Sequence, residues 1–225
     1  MSFIHRHWDE FYQQSDIQAL ADVGISHIRI PYGYWHVDVL PDEPFPAPSD
    51  NDAEGARKFL KRMLKWAEDA GIKVLLDLHG GPGGQNGFDN SGRRGYIHWH
   101  EGDNPERTVR ILNKMANIVR GWVDEGHIKI DTIEGLELLN EPAGFYDYIW
   151  EVCRDRFYKG GYETIREVFP ESDKVLVSIQ QAFRGYGDFD NFLPNEVNLI
   201  SDLQNLKMCT FGEAGLMKST FKLGI

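Results

Sequence analysis

The chain has 225 residues, 41% hydrophobic and 26% charged, which is the composition of a globular chain with ample material for a core. A formal net charge of -11 and a sequence pI near 5.2 argue against nucleic acid and anionic membrane surfaces as main partners and favour a neutral ligand. No run approaches 18 apolar residues, so no membrane insertion is expected, and the N-terminal "MSFIHRHWDEFYQQ" lacks the basic-then-apolar order of an export signal.

Helix and strand signals alternate along the chain. "SDIQALADVG" predicts a short helix with Ser15 as N-cap, Gln18 completing a capping box and Gly24 at its C-terminal stop. "ISHIRIP" follows as a strand, with Ile28 and Ile30 alternating against His27 and Arg29 and Pro31 ending the run. From Asn51 to Ala70, Phe59, Leu60, Met63, Leu64 and Ala67 mark the apolar stripe of an amphipathic helix that Gly71 stops. "IKVLLDLHG" is a nearly continuous apolar strand. Asn104 and Pro105 suit N-cap and first helical position of the next helix, whose buried face is Val109, Leu112, Met115, Val119 and Trp122. "IEGLELLNEP" is again a strand, residues 147–169 read as helix with a break expected at Gly160 and Gly161, and "DKVLVSIQ" is a further strand. "EVNLISDL" and "LKMCTFGE" are weaker strand candidates. Cys153 and Cys209 are too few for a disulfide framework, and the sequence leaves their pairing open.

Strands apolar on both faces and alternating with helices predict an α/β fold with a parallel sheet covered by helices. Polar groups stand at four strand ends in succession: Arg29, then Asp77 and His79, then Asn140 and Glu141, then Gln180 and Gln181. An open sheet concentrates its site at one switch point, whereas a barrel gathers groups from several strand ends on one face, so the pattern favours a (β/α)8 TIM barrel. Six strands at most can be counted, fewer than the eight units and about 250 residues typical of that fold, so a single, incomplete barrel over residues 1–225 is expected.

At a barrel mouth, Glu141 can serve as a general acid, and Asn140 offers a neutral donor and acceptor for a hydroxyl. Glu137, inside the strand, reads as an interior ion-pair member. "DLHGGPGGQNGFDNSG" has neither the dinucleotide fingerprint nor P-loop spacing, and its His79, Gln85, Asn86, Phe88, Asp89 and Asn90 are the mix expected of a sugar site. Tight Asx turns are the alternative reading of the same loop. His5 with His7 and His98 with His100 lack a third ligand, so no metal or other cofactor is expected. Of Tyr32, Tyr34, Trp35, Trp99, Phe145 and Tyr146, about half should be packing and the others free to stack on sugars.

"FYQQSDIQALADVGISHIRIPYGYW", "LLDLHGGPGGQNGFDNSG" and "IEGLELLNEP" together resemble the exo-β-1,3-glucanase branch of glycoside hydrolase family five, over most of residues 3–200. The resemblance implies an eight-stranded α/β barrel, a β-glucan or oligosaccharide as substrate, no metal, an extracellular or cell-wall location, and a retaining mechanism with two glutamates. It makes Glu141 the acid/base, Asn140 the holder of the 2-hydroxyl, Arg29 the cation beneath the nucleophile and His79 a hydroxyl ligand. Asp89 resembles the acidic contact to the terminal glucose and Phe88 the aromatic clamp at the pocket entrance. Gly212 and Glu213 resemble the start of the nucleophile motif, with Ala214 in place of its tryptophan, which makes Glu213 the candidate nucleophile. Against that pattern, the first strand, the last strand and a segment near residue 205 have no counterpart. A non-catalytic β-glucan-binding protein, or a hydrolase of another β-glucoside, would keep the same Asn140, Glu141 and His79 face.

Overall fold

A computed structural model of the chain describes residues 3–45, 55–189, 199–202 and 220–222. Helices α1 (Phe3–Glu10) and α2 (Gln14–Asp22) precede strand β1 (His27–Gly33), and then helix α3 (Ala56–Asp69), strand β2 (Lys73–Gly80) and helix α4 (Asn104–Asp124) follow. Strand β3 (Ile133–Glu137), helices α5 (Asp147–Val152) and α6 (Tyr158–Val168), and strands β4 (Leu176–Gln180), β5 (Leu199–Asp202) and β6 (Thr220–Lys222) complete the described elements. All six strands join one parallel sheet in the order β5-β4-β3-β2-β1-β6, with β5 and β6 at its margins.

Strands β1 to β4 are largely buried on both faces, as strands of a parallel sheet covered by helices are. Ile28 and Ile30 in β1 and Val74, Leu76 and Leu78 in β2 are almost wholly buried, and the residues between them include Arg29 and Asp77, buried just as deeply. The apolar stripe of α3 is buried at every expected position, and α4 turns Leu112, Met115, Val119 and Trp122 inward, with Val109 only partly covered.

Several local expectations need correction. The capping box of α2 forms two residues earlier: the Gln13 backbone N–H donates to Asp16 at 2.8 Å, while Gln18 is spent on Asp22 at 2.9 Å. A charged acceptor in the first turn is the stronger partner for an orphan N–H. Asp103, not Asn104, caps α4, and Asn104 is already helical. Pro31 does not end β1, which runs on to Gly33; a ring at Pro31 costs the ladder one donor only, and its neighbours still pair with β2. β3 ends at Glu137, although the Leu138 and Asn140 N–H groups still donate to Ser178 and Leu78 of the flanking strands, at 3.0 and 2.9 Å.

The helix over 147–169 is not broken at Gly160 and Gly161. Its irregularity is a π-helical turn at Cys153–Phe157, after which Phe157 and Tyr158 are both fully buried. Gly161 is there for close approach, since a Cβ on it would lie 2.8 Å from Leu138 Cδ1. The candidate strand "LKMCTFGE", Cys209 and the segment near residue 205 lie outside the described residues, while "EVNLISDL" supplies β5.

Candidate active site

Strand register brings the polar groups together. Asp77 of β2 is opposite Glu137 of β3, which is opposite Ser178 of β4, so two carboxylates stand side by side on one face of adjacent strands. Arg29, reaching from β1, meets both. Its Nε and Nη2 grip Glu137 at 2.8 and 2.5 Å, and Nη2 also lies 3.3 Å from Asp77 and donates to Asn140 Oδ1 at 2.9 Å. Gln180 adds a donor to Glu137 at 3.2 Å. Glu137 is therefore fully occupied as the interior ion-pair member its place in the strand suggests.

Burial, and then the charge of Asp77, push the Glu137 carboxyl above its ordinary range, while the bidentate Arg29 pulls it back. The same forces, burial first and then Asp77 and Glu137, raise the Tyr32 phenol far above its usual value and keep it neutral.

The ion-pair cluster orients what faces the opening. Arg29 has only donors to offer, so the Asn140 amide must turn its oxygen to Arg29 and its NH2 outward. That NH2 stands 3.4 Å from His79 Nε2, and His79 Nδ1 is held by Asp77 at 2.5 Å. With its proton on Nδ1, the imidazole presents Nε2 as an acceptor beside the Asn140 donor. The pair can thus give to one sugar hydroxyl through the second Asn140 N–H, and a second hydroxyl can replace the long Asn140 contact at His79 Nε2.

Glu141 follows at φ 47°, a left-handed backbone that a non-glycine residue adopts only when its surroundings impose it. The glycine-rich loop after β2 supplies that restraint. Asn86 donates its amide to the Glu141 carbonyl at 3.0 Å, Gln85 donates to the carbonyls of His79 and Asn140 at 2.8 and 2.9 Å, and Gln85 in turn receives the Gly81 N–H. Gln85 and Asn86 are buried, so they brace the backbone and are not free to meet a ligand. Asn90 donates to the Glu141 carboxylate at 2.9 Å, and Glu141 itself is only half-buried.

Of the residues singled out from sequence, Arg29, His79, Asn140 and Glu141 are brought to one place. Phe88 and Asp89 are exposed on the loop that carries Asn90, and Glu213 lies outside the described residues. Asp77 and Gln180, marked in the sequence only as strand-end polar groups, and Gln85 and Asn86, offered there as sugar-site groups, hold the site from behind. Asp77 had a signal: at two residues before His79 on a strand, it must share that side chain's face.

Four of the six singled-out aromatic residues pack, more than the half expected. Tyr32, Tyr34 and Trp99 are buried, Trp35 packs flat on Phe45 with its ring over Gly33, Gly80 and Gly92, and Phe145 and Tyr146 are exposed. Among the described residues no group of three or more His, Cys, Asp or Glu side chains is placed to hold a metal, and no helix is long and apolar enough to cross a membrane.

The family model described as cellulase (glycosyl hydrolase family 5) matches residues 2–203. A protein of Aspergillus fumigatus named "Probable glucan 1,3-beta-glucosidase A" is 36% identical over 182 residues, 77% of this chain and 38% of that one. A "Glucan 1,3-beta-glucosidase" of Blumeria graminis is 33% identical over 196 residues, 87% of this chain and 41% of its own length. The chain thus spans about two fifths of the length of these curated relatives. Among solved structures, a rutinosidase from Aspergillus niger superposes with a TM-score of 0.63 at 21% identity, over 86% of this chain and 54% of that one, which supports the same parallel α/β barrel fold. With the family model matched over most of its residues, and strand-end groups converging on one face of a parallel sheet, the chain belongs to glycosyl hydrolase family 5.

Proposed function

We propose that residues 1–225 act as one catalytic unit of a retaining exo-β-1,3-glucanase, with Glu141 as acid/base and Glu213 as nucleophile. In the first step Glu141 gives its proton to the departing glycosidic oxygen while the Glu213 carboxylate forms a glycosyl ester at the anomeric carbon. In the second, Glu141 takes a proton from water, which attacks that carbon and releases glucose. Asn140 donates to the 2-hydroxyl of the sugar under attack and His79 accepts from a neighbouring hydroxyl. Arg29 acts from beneath, orienting Asn140 and supplying positive charge. Asp89 and Phe88 contact the terminal glucose and the pocket entrance.

The observation that carries this reading is the Arg29–Asn140–His79 arrangement beside a strained, half-buried Glu141, because it aims one fixed donor, one acceptor and one carboxyl at the same space. The relatives named for glucan 1,3-β-glucosidase activity support the β-1,3 linkage. Treatment with an activated 2-deoxy-2-fluoro-β-glucoside, followed by mass spectrometry of the peptides, tests the reading. The expected product is a single sugar adduct on the peptide holding Glu213. An adduct elsewhere would remove Glu213 from the mechanism.

A further inference from the structure

An aromatic row leaves the candidate site and runs outward over the surface. Phe88 meets Phe183 edge-on at 6.2 Å between ring centres, Phe183 meets Phe145 at 5.5 Å, Phe145 tilts on Tyr146 at 4.7 Å, and Tyr146 stacks on Tyr148 at 5.5 Å with 20° between planes. The five rings are between 41% and 50% exposed, and they make up five of the nine exposed large hydrophobic residues of the described chain. Such clustering is costly in water unless the surface is used.

The row is built onto the site and is not scattered near it. Phe88 donates its N–H to Asn86, the side chain that holds the Glu141 carbonyl, and Phe145 follows Glu141 by four residues. Tyr146 begins the turn into α5, where its carbonyl receives the N–H groups of Ile149 and Trp150 and so fixes Tyr148 beside it. Tyr148 rests in turn against His100, with ring centres 4.9 Å apart.

The chemistry of the row selects its occupant. All five of its side chains are aromatic rings, and the two tyrosines also carry hydroxyls. Rigid, half-open rings carrying hydroxyl groups at the outer end suit a ligand with alternating C–H faces and hydroxyl edges. We infer that Tyr146 and Tyr148 form a chain-binding platform beyond the pocket, on which the sugars of a longer β-glucan stack while its end occupies the site at Glu141. This inference rests on the β-glucan reading above and extends it from the terminal sugars to chain length.

The test is affinity against length, measured by calorimetry on the full chain with laminaribiose and laminarihexaose, for the unaltered protein and for Tyr146→Ala, Tyr148→Ala and the double variant. Glu141→Gln in every background prevents turnover during titration. The hexaose is expected to bind more tightly than the biose, and the double variant to lose about tenfold in hexaose affinity with the biose unchanged. Equal hexaose affinity with and without the tyrosines, or equal loss for both sugars, would overturn the platform. Tyr146→Phe and Tyr148→Phe should keep most of the length effect, which separates stacking from a folding defect. Length-dependent binding in a protein that releases no glucose would leave the platform standing and remove the hydrolase reading alone.

Discussion

At the scale of single residues, the site is held by groups that touch no ligand. Glu137 is the clearest, because it sets Arg29 and, through Arg29, the amide of Asn140. Its carboxyl is raised by burial and by Asp77, so the stability it contributes is fully present below the unfolded value near pH 4.3 and is lost as pH rises through the raised folded value. Denaturation of the unaltered protein and Glu137→Gln at a series of pH values should therefore show a stability gap that shifts against the unaltered protein as pH increases over that window. A gap independent of pH would mean that Glu137 titrates alike in both states. Glu141 carries a second, separable cost in its left-handed backbone. Glu141→Gly should be more stable than Glu141→Gln by about 1 kcal/mol, since glycine accepts that conformation freely. The glutamine variant proving equal or better in urea titration would show that the conformation is unstrained. Sequence reading singled out Arg29, His79, Asn140 and Glu141, which the fold brings to one place, because their types announce chemistry. It passed over Gln85 and Asn86 as braces because a buried amide and a ligand-binding amide look the same in a glycine-rich loop.

At the scale of elements, periodicity identified α3, α4 and the central strands, because each has a face that must be buried whatever its neighbours do. Ends were less legible. Which of several polar residues caps a helix depends on geometry within one turn, and α2 chose Gln13 with Asp16 over Ser15 with Gln18. The two glycines of α6 suggested a break, yet the helix runs through both, and Gly161 serves close approach to Leu138, which only tertiary packing reveals. β3 shows the same demand more sharply. A Cβ at Gly135 would come 2.7 Å from the Leu176 carbonyl oxygen of β4, a backbone atom that cannot rotate away. Gly135→Ala should cost about 1–3 kcal/mol of stability and displace the strand that delivers Asn140 and Glu141. Thermal unfolding unchanged from the parent protein would contradict that packing.

For the whole molecule, the parallel sheet explains why so distant a set of residues converges: β2 and β3 contribute groups toward and just beyond their C-terminal ends, Arg29 reaches over from within β1, and register aligns them. This much was readable from the order of polar strand ends, because parallel strands leave few alternatives. Glu213, the proposed nucleophile and partner of Glu141, was readable only as a motif and lies outside the described residues. The account turns on the joint action of these two glutamates. Glucose release from laminaritriose by the purified chain, compared with Glu141→Gln and Glu213→Gln, tests that directly. The unaltered protein should release glucose, and each variant should lose about a thousandfold or more of the rate while remaining folded. Release that survives Glu141→Gln at the unaltered rate would contradict the mechanism.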